Sequence, residues 1–137
     1  MKPTRLTIVF LVLSVVLSLS TLAQTETIAG KAFRYKAGET CKSMSSGGCM
    51  VYTYQQFEFG TDSVVVKNEV KAMCSDSTLE SRYNASNLQV YRYKQTGREV
   101  KVVEFPTNFA MKFEENSLTL SNQEGSVRLP VWEATGK

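Results

Sequence analysis

Residues 49–74 read CMVYTYQQFEFGTDSVVVKNEVKAMC, and the fold follows from them. Two runs of alternating character flank Gly60-Thr61-Asp62-Ser63, a set of turn residues. Closing that loop makes Phe59 face Val64, Phe57 face Val66, Gln55 face Asn68, Thr53 face Val70 and Val51 face Ala72. One face of the hairpin is then apolar apart from a polar middle. The other face pairs Tyr52 with Lys71, Tyr54 with Glu69 and Gln56 with Lys67. Successive strand residues point to opposite faces, so a slip of one residue would invert both; the apolar pattern therefore sets the register. The same register places Cys49 opposite Cys74, although the cysteines took no part in setting it.

Working outward, short alternating runs separated by turn residues fill the chain, the pattern of an antiparallel β-domain. Eight strands are predicted, over residues 31–36, 50–59, 63–74, 88–94, 98–105, 109–114, 117–121 and 126–132. Most connections are of hairpin length. The expected fold is all-β: a single antiparallel eight-stranded up-and-down barrel with room for one short helix. Phe109, Met111, Phe113, Leu118 and Leu120 share one face across the Glu115-Asn116 turn, and Val127, Leu129 and Val131 continue it. Val100 to Phe105 is apolar at both parities, which leaves its inward side unassigned. Pro130 has no N–H to donate, so the last strand is bulged or partly an edge. In the longest connection, Ser77-Thr78-Leu79-Glu80 fits a capping box. A one- or two-turn helix and an irregular loop are both open there.

Residues 1–23 read as a secretory leader. Lys2 and Arg5 open it, Leu6 to Leu19 is apolar except for Thr7, Ser14 and Ser18, and Thr21 and Ala23 suit a signal-peptidase site. The apolar run is too short for a comfortable membrane span. The expected mature unit is 24–137, one β-barrel domain, exported to the periplasm or the extracellular space. With no cysteine next to the cleavage point, a lipid anchor is not expected, and a soluble protein is.

Composition narrows the chemistry. The chain has no histidine, which removes the commonest neutral-pH base and the commonest metal ligand. No catalytic role, metal or cofactor is therefore assigned; carboxylate-pair or lysine chemistry stays open in principle, and a small carboxylate-based hydrolase is the enzymatic alternative. The formal charge is +3, but Lys2 and Arg5 belong to the leader, so the mature chain is nearly neutral. Basic residues never run beyond two together, which gives no reason to expect nucleic acid.

Three cysteines in an exported domain suggest one disulfide and one free thiol. Cys49–Cys74, Cys41–Cys49 and Cys41–Cys74 are all open pairings, and the hairpin register favours the first. Gln55 and Asn68 are polar groups on the predicted inner face. They either bond to each other or orient a small ligand, since an eight-stranded barrel has just enough room for side chains or one such ligand. Tyr52, Tyr54, Tyr91 and Tyr93 are expected on the outer face among Lys71, Glu69, Arg92, Lys94 and Lys101. They form either a protein or glycan contact surface or a solvated sheet face. Asn84-Ala85-Ser86 matches the N-glycosylation triplet.

Gly30-Lys31-Ala32-Phe33 resembles the opening Gly-x-Trp strand of small exported barrels, with Phe33 for the tryptophan and one position late. Gly48-Cys49 and Ala72-Met73-Cys74 resemble the Gly-Cys-Asn and Met-Ala-Cys segments of META domains. Here Met and Ala are interchanged, and Met50 stands in place of the asparagine. Phe113-Glu114-Glu115-Asn116-Ser117-Leu118-Thr119-Leu120 looks like a late hairpin common to lipocalin-like and META-like domains. The mature chain thus resembles calycin-type barrels, which implies a non-catalytic binding module with no definite ligand. An envelope-stress or inhibitor-type protein acting by protein contact is the alternative that the resemblance also carries.

Overall fold

The computed structural model describes residues 25–45 and 47–133; the expected leader lies outside the described residues. Eight antiparallel strands follow one another in chain order: β1 Ala32–Met44, β2 Gly47–Phe59, β3 Ser63–Cys74, β4 Ala85–Thr96, β5 Glu99–Val102, β6 Ala110–Glu114, β7 Ser117–Asn122 and β8 Gly125–Pro130. The barrel is nearly closed. The chain after β8 returns beside β1, where the Trp132 N–H donates to the Ala32 carbonyl at 2.7 Å.

The β2–β3 hairpin has the register read from its sequence, from Phe59 opposite Val64 to Cys49 opposite Cys74. The two cysteines form a disulfide, and Cys41 is free and exposed. β1 runs well past its expected end at residue 36. A bulge between Lys36 and Gly38 absorbs the break in alternation, and pairing then resumes from Gly38 opposite Thr53 to Met44 opposite Gly47. β4 begins at Ala85 rather than 88, and β5 stops at Val102. The chain turns beyond β5, with Glu104 at φ 57°. Val100 is buried and Val102 packs on the core, which assigns the inward parity of β5.

Between β3 and β4 the chain makes a 3-10 turn, Ser77–Leu79, and one helical turn, α1 Glu80–Tyr83. The cap is Asp76, one residue before the expected Ser77, and its carboxylate accepts from the Thr78 N–H at 2.9 Å. Those hydrogen bonds hold the Asp76 pKa below the ordinary aspartate value. Glu80 reaches back to the Cys74 N–H at 3.2 Å instead of to the turn.

The core fills one end of the barrel. Phe33, Phe57, Phe59, Val64, Val66, Phe113, Leu118 and Leu120 are buried there. Phe33 meets Phe59 and Phe113 edge-on, each at 6.0 Å between centroids. Ile28, before β1, is fully buried and plugs this end. Its N–H donates to Gln95 Oε1 at 3.0 Å, and Gln95 Nε2 donates to the Glu26 carbonyl at 2.7 Å. Phe105, in the β5–β6 connection, packs on Phe57 and Tyr91 and covers the other end of the core. Because β1 to β4 have 12 or 13 residues and β5 to β8 only four to six, the first four strands project beyond this cover as an open sheet.

Candidate functional site

The projecting sheet carries a row of polar side chains on its inner face. Gln55 lies opposite Tyr35 on β1 and Asn68 on β3, and Asn68 lies opposite Asn87 on β4. Side chains at directly paired positions are close enough to bond. The Tyr35 hydroxyl donates to Gln55 Oε1 at 3.1 Å, Gln55 Nε2 donates to Asn68 Oδ1 at 2.8 Å, and Asn68 Nδ2 donates to Asn87 Oδ1 at 3.1 Å. Every bond points the same way, from β1 towards β4. Gln55 and Asn68 therefore do bond to each other, as the simpler of the two sequence readings has it.

Each amide in the middle of this row uses one N–H and one carbonyl lone pair. An amide has two donors and two acceptor sites, so half its capacity is left over. Gln55 and Asn68 are partly buried and Asn87 is exposed, which keeps that capacity within reach of solvent. Tyr35 stacks on Phe57 at 6.5 Å, so the row rests on the aromatic cover of the core. Burial pushes the Tyr35 pKa above the ordinary tyrosine value.

The outer tyrosines divide into two pairs. Tyr52 and Tyr54 lie on the outer face as expected, half-buried and 6.4 Å apart. Cations occupy their rings: the Arg34 guanidinium lies 4.2 Å from the Tyr54 centroid and the Lys36 ammonium 5.6 Å from that of Tyr52. Arg34 also donates to Glu69 at 2.8 Å and lies 5.5 Å from the Trp132 ring, which ties the barrel seam together.

Tyr91 and Tyr93 correct the sequence reading, because both point inward. Val64, an inner residue of β3, pairs with Tyr91, and this parity brings Tyr93 inside as well. Tyr93 is buried against Phe59 at 5.1 Å and donates its hydroxyl to the Gly60 carbonyl at 2.7 Å. Burial, with Asp62 nearby, raises its pKa. The residues that take the outer positions of β4 are Leu88 and Val90, each 61% exposed.

The other sequence candidates settle into structural duties. The disulfide clamps the far end of the projecting hairpin. Asn84 of the glycosylation triplet accepts from the Ala72 N–H at 2.8 Å, which ties the start of β4 to β3. Glu39, Glu69, Glu114 and Glu115 each form an ion pair with lysine or arginine. Among the described residues, no three His, Cys, Asp or Glu side chains gather to hold a metal, and no helix is long and apolar enough to cross a membrane. A cleft of about 440 Å³ opens where β5 and β6 splay apart, lined in part by Val102, Phe105, Phe109 and Met111.

Sequence reasoning found the centre of the polar row and missed its ends, Tyr35 and Asn87. A signal existed for Tyr35, which stands two residues beyond core Phe33 and so shares its face. None existed for Asn87, which precedes the predicted start of its strand. In comparisons with known proteins, the chain matches no family model, no curated protein and no solved structure.

Proposed function

We propose that this chain is an exported, non-catalytic binding module built on a lipocalin-like or META-like barrel, and that it holds a neutral, hydroxyl-rich small ligand against the row Tyr35, Gln55, Asn68 and Asn87. The observation that carries this reading is the one-way hydrogen-bonded row with spare amide capacity on an open face. Amides that donate and accept side by side suit adjacent hydroxyl groups, such as those of a sugar. The aromatic rings of Tyr35, Tyr91 and Phe105 beneath the row suit the apolar face of a sugar ring. The filled core leaves the barrel centre to side chains, so the ligand lies on the projecting sheet. The disulfide agrees with an oxidising compartment.

The test is an array of neutral oligosaccharides followed by NMR titration of the side-chain amides. The Gln55, Asn68 and Asn87 amide signals are expected to shift on binding. A Gln55→Leu/Asn68→Leu variant is expected to keep its fold and lose the interaction. Binding that survives in that variant, or an array with no binder, contradicts the reading.

A further inference from the structure

β4 carries an edge that nothing in the described structure pairs. From Ala85 to Tyr91 it bonds to β3 on one side only, and β5 joins its other side from Tyr93. Backbone direction shows which groups face the open side. The Tyr93 N–H points at β3, donating to the Asp62 carbonyl, whereas the Arg92 carbonyl points the other way and accepts from the Val103 N–H. The direction alternates along an antiparallel strand. The N–H and C=O groups of Ser86, Leu88 and Val90 therefore face outward without strand partners.

Exposed edges are normally blunted by charge, proline or a bulge. The free upper edge of β1 follows that rule, with Lys36, Glu39, Lys42 and the bulge before Gly38. The Ala85–Tyr91 stretch has none of these devices, and its residues 85–90 are all exposed. Leu88 and Val90 add two large apolar side chains to it.

We infer that this edge pairs with a second copy of the same edge, antiparallel, about a two-fold axis through Leu88. The free stretch is bounded by Asn84 and by Arg92, whose carbonyl Val103 already occupies. Leu88 is its midpoint, so this register uses the whole edge. Leu88 then meets Leu88 of the second copy, and Val90 meets Ser86 of the second copy, all four through outward-facing backbone groups. On the inner face Asn87 meets Gln89 of the second copy, amide against amide. An isologous interface sets each central residue near its own copy, so a charge there would repel itself. The stretch has no charge. Arg92 lies eight residues from its copy in this register, about 27 Å at strand rise and well beyond the screening length. A heterologous strand would not need an uncharged centre; a self-pairing one does.

Sedimentation equilibrium of the processed chain at tens of micromolar is expected to give twice the monomer mass. Leu88→Lys and Leu88→Glu are each expected to halve it, with melting temperature measured on the same samples to show that both remain folded. Mixing the two variants in equal amounts is expected to restore the doubled mass, because opposite charges then meet at the axis. A monomeric parent chain, which would leave the edge to a different partner, overturns the inference. So does a doubled mass that persists in Leu88→Lys.

Discussion

The lower and upper halves of β1 to β4 belong to the same strands and obey the same alternation, yet they end up as different materials. In the lower half Phe33, Phe57, Val66 and Tyr93 meet β5 to β8 across the barrel and are buried. In the middle of the upper half the same parity carries Thr53, Gln55, Asn68 and Asn87, with no opposing strand among the described residues and with water within reach, and only beyond them do Ala72 and Cys49 bury again. Strand length makes the difference. Where eight strands overlap, the inner face must be apolar; where four project alone, it is free to be polar. A polar face can thus be added to a barrel without hollowing its core.

The largest expected effect breaks the core on which the lower half packs. Phe113→Ala removes a ring that is 1% exposed and is expected to cost about 3–5 kcal/mol in denaturant unfolding. Val70→Ala, on the inner face of the upper half and only partly buried, is expected to cost much less. Equal losses would erase the distinction between the halves.

Removing the disulfide acts on the upper half through the unfolded chain. The bridge closes a loop with a sequence separation of 25, and chain entropy alone gives about 3–4 kcal/mol. Cys49→Ala/Cys74→Ala is expected to lose stability on that scale while Cys41→Ala changes little, as read by thermal melting. A large effect of Cys41→Ala would place a structural role on the free thiol.

A smaller effect sharpens the comparison through pH. The folded state raises the pKa of Tyr93, and that of Tyr35, mainly by burial. A raised value means that the folded form holds its proton more tightly than the unfolded one. That stability is complete below the ordinary tyrosine value of about 10, and it is lost as pH rises through the folded value. Unfolding free energy is expected to fall as pH rises from about 10 towards the folded value, and to fall less steeply in Tyr35→Phe/Tyr93→Phe. An unchanged alkaline slope in the double variant would place both hydroxyls in water.

The hairpin from Cys49 to Cys74 was legible because both its phenylalanines and most of its aliphatic residues keep one parity over both arms, which fixes the register, the disulfide and the Gln55–Asn68 contact together. β1 was legible only to residue 36, because the bulge at Ala37 changes parity and the residues beyond it are polar. β4 misled for a different reason. Leu88 and Val90 on one parity and Tyr91 and Tyr93 on the other are all apolar enough to be core, and a tyrosine can serve inside or outside. The β3 register decides for the tyrosines, and the two aliphatic residues are left exposed on the open edge. Ile28 and Gln95 could not be paired in advance, since their contact joins segments 67 residues apart without any strand pairing.

The proposed function depends on the polar row being a working surface rather than structural cement. The direct measurement is denaturant unfolding of Gln55→Leu/Asn68→Leu beside the parent chain. Replacing both members of a bonded pair by apolar groups of similar size is close to neutral when their neighbours can turn to water. The expected result is a change below about 1 kcal/mol, with the folded spectrum intact. A loss near that of Phe113→Ala, about 3 kcal/mol or more, would contradict it and make the row part of the core.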